Sequence, residues 1–348
     1  MNNDKHPADP AQVQHIVDTS LAFWKSKVLL VAVELGVFTL LSDRTATLGE
    51  LQQSLALHPR GSADYFDSLV ALGLLQREGS GEQARYANTP AAAALLDRTS
   101  PHYMGGVLEM TNQRVYPFWG SLAEALRTGR PQNETKLSGE SWYQALYADR
   151  ARLSQFLSAM AGYQISNFKI LVQTFDFGAY GSFCDVGGAT GALAMEVARR
   201  HPGTRCISFD LPAVEQIAAE RIAAAGLNGQ VTVASGDFLK DELPQAGVIA
   251  MGNILHNWSV DTRRMLIGKA FRALPPGGAF LAIEHLVDDD RRHNLAAMLM
   301  SINMLIETSE GSESTTSEFD RWCREAGFRH TEVKPISGGT SVGIAYKE

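Results

Sequence analysis

The amino-acid sequence predicts an α/β fold that joins a C-terminal Rossmann-like domain to a mostly helical, N-terminal winged-helix domain. Three observations support this fold class. Beyond Gly181, short apolar runs alternate with amphipathic helical stretches, as in a doubly wound parallel sheet. Nearer the N-terminus, three helical segments precede a glycine-rich hairpin, which is the element order of a winged helix. The chain has 348 residues, which is long enough for two domains.

The N-terminal segment carries three helical signals. Residues 11–41 read as helical because apolar side chains recur every three or four positions. Thr47 and Glu50 form a capping-box pattern that opens a short helix ending near Leu57. A third helix follows Pro59. Its predicted apolar face consists of Tyr65, Phe66, Leu69, Leu72 and Leu75.

A winged helix often binds DNA, so the charge of this segment matters. The hairpin over residues 78–83 closes at Tyr86 and would be the wing, and the third helix would be the recognition helix. That helix offers Arg60 but also Asp64 and Asp67, whereas phosphate binding requires lysine and arginine. The net charge of −7 also argues against a nucleic-acid partner. We expect the apolar surface to pack against a second copy of the chain, giving a homodimer.

Composition and termini suggest a compartment. The N-terminal MNNDKHPADP lacks the basic and apolar regions of a secretory signal. The longest apolar run, residues 28–41, is interrupted by Glu34 and Gly36 and is shorter than the roughly 20 residues of a membrane span. Three distant cysteines fit neither a disulfide framework nor a metal site. We expect a soluble cytoplasmic protein without a membrane partner.

The middle of the chain reads as a helical connector. We divide the chain into residues 1–100, the winged-helix domain, residues 101–180, the connector, and residues 181–348, the sheet domain. The connector should contribute to a substrate pocket and to the dimer. Periodicity does not say which of its aromatic residues cover the pocket and which belong to the core or interface. These are Tyr103, Tyr116, Phe118, Trp119, Trp142, Tyr143, Tyr147, Phe156 and Tyr163.

The sheet domain is predicted from five apolar runs. The strands are Ser182–Val186, Arg205–Asp210, Gln230–Ala234, Gly247–Met251 and Ala279–Glu284, with helices such as Ala192–Arg200 and Thr262–Leu274 between them. The first strand runs into a glycine-rich turn that contains Gly187, Gly188 and Gly191 and leads into a helix. Glycines allow a close backbone approach to a ligand, and the helix N-terminus favours an anionic group. On its own, a glycine-rich turn after a strand is equally consistent with binding a dinucleotide or a nucleotide phosphate.

Acidic residues at three successive strand ends narrow the choice of ligand. Asp185 precedes the glycines, where a carboxylate suits an amine better than a pyrophosphate. Asp210 ends the second strand, where a carboxylate accepts ribose hydroxyls. Asp237 follows the third strand and would accept from an adenine amino group, while Phe238 would stack on the ring. The alternative is that Asp210 and Asp237 only cap helices or turns.

The order of these motifs resembles the plant-type and bacterial small-molecule O-methyltransferases, the group of caffeate and acetylserotonin O-methyltransferases. The matching segments are Asp185–Gly191, Phe209–Pro212, Gly236–Phe238, Asn253–Trp258 and Leu274–Gly278, and the resemblance extends over essentially the whole chain. It implies a class I methyltransferase domain, S-adenosylmethionine as the cofactor, a winged-helix dimerisation domain and a catalytic histidine. It also implies a small-molecule acceptor, of the kind found in secondary-metabolite biosynthesis.

The resemblance also implies the cofactor-binding residues. Two departures from the family pattern stand out: Ala189 replaces a glycine, and Gly252 replaces a lysine near the adenine, whose contact we expect Asn253 to replace. The predicted cofactor residues are Asp185, Gly187, Gly188, Gly191, Asp210, Leu211, Gly236, Asp237, Phe238 and Asn253.

His256 is the predicted general base. A hydroxyl must lose its proton as it attacks the methyl group, and histidine has a suitable pKa. His256 follows the fourth strand and so faces the cofactor crevice, whereas His285, like His201, His293 and His330, lies in a polar or surface-like context. The alternative role for His256 is to cap a helix.

The family's histidine is steered by two glutamates, which by position are Glu284 and Glu313 here. Glu284 ends an apolar strand, where a carboxylate is costly without a role. Glu313 lies in a polar loop, where a solvated charge is the alternative. The predicted acceptor pocket consists of Met160, Trp258, Asn303 and Met304, for which core or dimer packing is the alternative.

Three functions compete. The favoured one is O-methylation of a hydroxylated, aromatic small molecule. A second is carbon or nitrogen methylation, including metal-assisted methylation of α-keto acids. Asn257 follows His256 where many family members carry aspartate, which disfavours a metal, so we predict no metal site. The third is a non-catalytic winged-helix regulator, against which the retention of His256 and the strand-end acids argues.

Overall fold

The structure, a computed structural model, describes residues 9–138 and 146–348. It divides into two compact units that meet in the chain between Tyr116 and Pro117. This boundary lies inside the predicted connector, whose role stays a prediction. Trp142 and Tyr143 lie outside the described residues. No helix in the described part of the chain is long and apolar enough to cross a bilayer.

The first unit contains one helix of 25 residues and several shorter ones, together with a small antiparallel sheet. Its core includes Phe38, Leu51, Phe66 and Leu69. The strand order is β1-β3-β2. Its elements are α1 (Pro10–Glu34), α2 (Val37–Leu40), β1 (Ala46–Thr47), α3 (Leu48–Ser54), α4 (Ser62–Ala71), β2 (Leu75–Glu78), β3 (Arg85–Asn88), α5 (Pro90–Leu96) and α6 (Gly105–Met110).

Two glycines end helices earlier than predicted. The helix predicted over residues 11–41 is wrong as one element, because it breaks at Gly36, whose φ of 71° belongs to the left-handed region. Leu75 does not continue the face of α4. Gly73, with φ of 72°, ends that helix, and Leu75 begins β2 instead. The capping box at Thr47 and Glu50 is confirmed, with both reciprocal hydrogen bonds present.

The second unit is built around a larger sheet. The short α7 (Tyr116–Trp119) begins at the boundary. It is followed by α8 (Leu122–Thr128), α9 (Glu134–Ser138), α10 (Arg150–Thr174), β4 (Ser182–Val186), α11 (Ala192–Arg200), β5 (Arg205–Asp210), α12 (Pro212–Ala224), β6 (Val231–Ser235), β7 (Val248–Gly252), α13 (Val260–Ala273), β8 (Ala279–Glu284), α14 (Leu295–Glu307), α15 (Thr316–Ala326), β9 (His330–Pro335) and β10 (Ser341–Tyr346).

Among the described residues, the strands of this sheet follow the order β6-β5-β4-β7-β8-β10-β9. The strands β4 to β8 are parallel and lie within one residue of their predicted bounds. A wholly parallel sheet is wrong, however, because β10 pairs antiparallel with both β8 and β9. The glycines Gly338 and Gly339, both with positive φ, form the turn that joins these two C-terminal strands.

The strand order determines where a ligand can bind. From β4 the chain builds outward through β5 and β6 on one side, and then through β7 and β8 on the other. A crevice opens at the carboxyl ends of the strands where the direction reverses, next to β4. Apolar cores cover both faces of the sheet and leave this edge to the strand-end residues.

Candidate active site

The turn after β4 depends on its glycines. Gly187 has φ of 72° and Gly191 has φ of 76°, and Gly191 caps α11. A Cβ at Gly188 would lie 2.4 Å from Ser208 Oγ and 3.1 Å from the Asp185 carbonyl oxygen, so only glycine fits there. Ala189 adopts φ of 51°, a left-handed conformation that costs an alanine about 1 kcal/mol. The family's usual glycine would avoid this strain.

Two buried carboxylates lie on neighbouring strands at this edge. Asp185, only 5% exposed, is the penultimate residue of β4, and Asp210 ends the neighbouring β5. Burial and the repulsion of Asp210 raise the pKa of Asp185 to about 7, and burial also raises the pKa of Asp210. No ion pair to either carboxylate forms within residues 9–138 and 146–348. An ammonium group would supply the missing positive charge, which fits the amino group of S-adenosylmethionine.

Asp210 also retains capacity for hydroxyl donors. Its Oδ2 accepts from the Ala189 N–H at 2.9 Å, and its Oδ1 accepts from the Leu211 N–H at 2.7 Å. These bonds anchor the glycine turn and the start of α12. They match the alternative role stated above, in which Asp210 caps a helix or a turn. A carboxylate has about four acceptor positions, so room for a ribose diol remains.

The third strand end differs from the first two. Asp237 Oδ1 accepts from the Leu239 N–H at 2.9 Å, and its Oδ2 pairs with Lys240 Nζ at 2.9 Å. Asp237 therefore caps a turn, and its contact with adenine stays a prediction. Gly236 is required, because a Cβ would lie 2.6 Å from the Phe209 ring. Phe238 meets Trp258 edge to face, with ring centroids 6.0 Å apart.

Asn253 follows β7 and has an unusual backbone. Its φ is 53°, and its N–H donates to the Ile283 carbonyl at 3.0 Å. Its carbonyl accepts from Asn257 Nδ2 at 2.9 Å. The side-chain Oδ1 is buried and has no hydrogen-bond partner in the described part of the chain. A buried acceptor of this kind fits a donor on a bound ligand. It is not the contact that a lysine would make, because a lysine ammonium only donates.

His256 forms a buried cluster with both predicted glutamates. It lies in a short helical turn, Leu255–Asn257, after β7 and is 7% exposed. Its Nδ1 lies 2.7 Å from Glu313 Oε1 and 3.4 Å from Glu284 Oε2. Because both carboxylates face Nδ1, that nitrogen carries a proton, and Nε2 is left for another partner. Glu313 is therefore not a solvated loop charge.

Glu284 also shapes the turn that carries the histidine. Its Oε1 accepts from the N–H groups of Ile254 and Leu255 at 3.1 and 2.9 Å. Burial raises the pKa of Glu284 to about 7, although His256 opposes the shift. Burial lowers the pKa of His256, but the attraction of Glu284 and Glu313 outweighs burial and raises it to about 9. The cluster therefore stabilises the imidazolium strongly.

The same three side chains are the ones that a metal ion would use. Ligand atoms of His256, Glu284 and Glu313 lie within 4.8 Å of one another. However, the 2.7 Å contact of His256 Nδ1 with Glu313 is a direct hydrogen bond, which requires the proton that a metal would displace. The absence of a metal stays a prediction.

The predicted acceptor residues lie on three elements. Met160 is half-buried on α10, Trp258 follows the His256 turn, and Met304 is buried on α14. Asn303, also on α14, accepts a hydrogen bond from Trp119 Nε1 at 2.9 Å. This bond leaves the Asn303 amide N–H groups for other partners. Whether these residues contact an acceptor stays a prediction.

Comparison with known proteins identifies the family. A family model for an O-methyltransferase domain matches residues 119–329, and one for an O-methyltransferase dimerisation domain matches residues 17–98. The chain belongs to the O-methyltransferase family. It is a methyltransferase that depends on S-adenosylmethionine, and it carries the family's dimerisation domain. The predicted family, fold class and cofactor are confirmed, and the alternative of a non-catalytic regulator is set aside.

Three similar proteins cover nearly the whole enzyme. The tetracenomycin polyketide synthesis 8-O-methyl transferase TcmO of Streptomyces glaucescens is 40% identical over 95% of this chain and 96% of its own. The N,N-dimethyltransferase OxyT of Streptomyces rimosus is 35% identical over 94% of each chain. The crystal structure of human N-acetylserotonin methyltransferase in complex with S-adenosylmethionine has a TM-score of 0.88, with 31% identity over 98% of this chain and 99% of its own.

The sequence missed two buried residues near the cluster of this methyltransferase. His285 was expected in a polar or surface-like context, but it is 2% exposed, because it follows the buried β8 directly. Arg263 on α13 is fully buried and bonds to the segments that carry His256 and Glu313. The sequence did contain a signal for Arg263, since it shares a helix face with the apolar Leu266 and Ile267.

Proposed function

We propose that this enzyme methylates a phenolic oxygen of an aromatic small molecule in secondary metabolism, with His256 as the general base. The observation that carries this proposal is the buried cluster in which two carboxylates face Nδ1 of one histidine. That arrangement suits a base that must hold a proton during the reaction. The relative TcmO, named for an 8-O-methyl transfer in polyketide synthesis, supports the acceptor class.

The bound cofactor supplies a methyl group already activated on a sulfonium. We propose that Asp185 holds its amino group, Asp210 its ribose hydroxyls, and Asn253 a further donor. The glycine turn places the Gly187 and Gly188 backbone close to the ligand. These residues orient the reaction rather than activate the methyl group.

His256 supplies the proton transfer. In its neutral form, Nδ1–H donates to Glu313 and the lone pair of Nε2 faces the acceptor hydroxyl. The acceptor proton moves to Nε2, and the resulting imidazolium is stabilised by Glu284 and Glu313. Because these carboxylates raise the pKa of His256 to about 9, the base form grows as the pH rises toward that value. The two carboxylates thus make His256 a stronger base, but a smaller fraction of it is in the neutral base form at neutral pH.

Nitrogen methylation is the second candidate, because the relative OxyT is named as an N,N-dimethyltransferase. The two reactions differ in their need for a base. A neutral amine attacks with its lone pair and loses its proton afterwards, whereas a phenol must be deprotonated as it attacks. An amine substrate would therefore make the buried cluster less important.

A matched acceptor panel tests the proposal. Polyhydroxylated naphthalenes, anthraquinones and naphthacenes are incubated with radiolabelled S-adenosylmethionine, each beside its amino analogue and its methyl ether. We expect label on the free phenols alone. Transfer to the amino analogues but not to the phenols would favour the second candidate and contradict oxygen methylation.

We also propose a homodimer formed through the dimerisation domain. Helix α1 carries an exposed apolar stripe at helical spacing, in which Ile16 is 67% and Trp24 is 58% exposed. The stripe consists of Val13, Ile16, Val17, Phe23 and Trp24. A stable interface of this kind buries about 2,000 Å² or more. Light scattering should give twice the mass of one chain. The double variant Ile16→Asp, Trp24→Asp should have the mass of a single chain.

The cysteines support a reducing compartment. Cys184, Cys206 and Cys323 are free and buried. Free thiols are typical of reducing compartments, and we propose that the enzyme works in the cytoplasm.

A further inference from the structure

Arg263 is a buried cation in an unfavourable position. It is 1% exposed and lies in the first turn of α13. A cation there meets the positive end of the helix dipole and loses its hydration. Burial accordingly lowers the pKa of Arg263, although Glu284, Glu313 and Glu318 oppose the shift. The surrounding contacts must compensate for placing an arginine here.

Its guanidinium bonds to two separate segments of the chain. Nε donates to the Trp258 carbonyl at 2.8 Å, and Nη2 reaches the His256 carbonyl at 3.5 Å. Nη2 also donates to the Ser312 carbonyl at 2.7 Å and to Ser312 Oγ at 2.9 Å. Nη1 donates to Ser314 Oγ at 2.9 Å. The first segment carries His256, and Ser312 and Ser314 flank Glu313 on both sides.

The hydrogen bonds of Arg263 differ from those of an arginine in a buried ion pair. Every one of these acceptors is a neutral oxygen. The planar guanidinium has donors in a fixed fork, so it bridges several oxygens at once, which a lysine ammonium cannot do in the same geometry. Three bonds besides those of Arg263 hold the residues around Glu313. The Ser312 N–H donates to the His256 carbonyl at 2.9 Å, the Val287 N–H donates to the Ser314 carbonyl at 2.9 Å, and the Glu313 N–H donates to Ser301 Oγ at 3.1 Å.

We propose that Arg263 is a positioning residue that holds the His256 turn and the Glu313 loop in register, so that Nδ1 and the carboxylate stay in hydrogen-bond contact. This inference rests on the proposed role of His256. It adds Arg263 to the catalytic machinery as a residue that does not itself touch the acceptor. A displacement of about 1 Å between base and orienting group is enough to cost about a hundredfold in rate.

The test uses Arg263→Lys, which keeps the charge and removes the fork. Its matched control is Arg264→Lys, the same change at the next residue, which is half-exposed and pairs with Glu325 at 2.9 Å. The readout is the proton resonance of His256 Nδ1–H in protein saturated with S-adenosylmethionine, assigned by its loss in His256→Gln. Calorimetry of S-adenosylmethionine binding shows whether each variant is folded.

We expect a downfield Nδ1 resonance in the wild type and in Arg264→Lys. In Arg263→Lys it should broaden or move upfield, methyl transfer to the phenol identified by the acceptor panel should slow about 10- to 100-fold, and cofactor affinity should stay within about threefold. An unchanged resonance in Arg263→Lys would overturn the proposal, whatever its turnover.

A second variant covers the case in which Arg263→Lys does not fold. The double change Ser312→Ala with Ser314→Ala keeps the arginine and removes two of its acceptors beside Glu313. The same loss of resonance supports the proposal, and a wild-type resonance contradicts it. Turnover of His256→Ala, measured in parallel, separates the two claims: a wild-type rate there refutes the base, whereas the resonance alone decides the role of Arg263.

Discussion

The hydrogen bond between His256 and Glu313 allows a sharp test of the proposed base. The change Glu313→Gln keeps the shape of the side chain and removes its charge. In the wild type, the carboxylate accepts from Nδ1–H at 2.7 Å, which keeps Nε2 unprotonated in the neutral ring. The amide of glutamine can instead donate to Nδ1. This would favour the tautomer with its proton on Nε2, which cannot accept another.

This change should have two effects on His256. The pKa of His256 is raised from 6.5 to about 9. That shift corresponds to roughly 3 kcal/mol, supplied by two carboxylates against the opposing effect of burial. Removing the charge of Glu313 should therefore lower the pKa of His256, because one of the two attracting carboxylates is lost. Loss of tautomer control should lower the maximal rate by roughly 10²–10⁴-fold.

The assay is the pH dependence of kcat/KM with a phenolic acceptor. In the wild type, kcat/KM should rise with pH and level off near the His256 pKa of about 9, because only the neutral ring accepts a proton. In Glu313→Gln the rise should move toward neutral pH and end at a lower plateau. His285 and Arg263 are the other titratable or charged groups that act on His256, along with Glu284, and none of them changes in this variant.

Glu284→Gln is the matched control. A glutamine oxygen there still accepts from the N–H groups of Ile254 and Leu255, and Nδ1 still donates to Glu313. The loss should be at most about tenfold, or about 1.4 kcal/mol. If Glu313→Gln were no slower than Glu284→Gln, or if its profile kept the wild-type shape, the proposed division of roles between the two glutamates would be wrong.

Three further predictions concern the cofactor and metals. Asp210→Ala should weaken S-adenosylmethionine binding about tenfold or more in calorimetry, because hydrogen bonds to a charged group contribute about 1.5–3 kcal/mol; unchanged affinity would refute the assignment. Cofactor affinity should rise between pH 5.5 and 7.5 as Asp185, with its pKa raised to about 7, ionises, and Asp185→Asn should flatten this dependence. A chelator should leave turnover unchanged, because His256 Nδ1 is engaged by Glu313, and activity restored by a divalent cation would contradict this.

The sheet could be predicted closely because its signals are local. The strands β7 and β8 are buried on both faces and therefore read as nearly continuous apolar runs, and β4 differs mainly by Asp185 near its end. Strand β9 is largely half-exposed, and its polar sequence carries no such signal. The antiparallel return of β10 depends on the turn at Gly338 and Gly339, and the pairing with β8 is a long-range contact that no local pattern specifies.

The site was predicted less evenly. Strand-end positions made Asp185, Asp210 and His256 visible in the sequence. Glu313 was ambiguous, because its loop is polar and its burial and its contact with His256 depend on long-range packing that the sequence does not specify. Arg263 was missed because a basic residue in an amphipathic helix is usually solvated. Its place on the buried face of α13 was the available signal.

The most direct test of the central claim is single-turnover methyl transfer by His256→Ala to the phenolic acceptor that the wild type methylates. If His256 removes the acceptor proton, the rate should fall roughly 10²–10⁴-fold. Cofactor affinity should remain at the wild-type level, because the proposed cofactor contacts lie at Asp185, Asp210 and Asn253. Raising the pH should recover part of the rate, because a phenol ionises in solution. A wild-type rate in His256→Ala with normal cofactor binding would contradict the account.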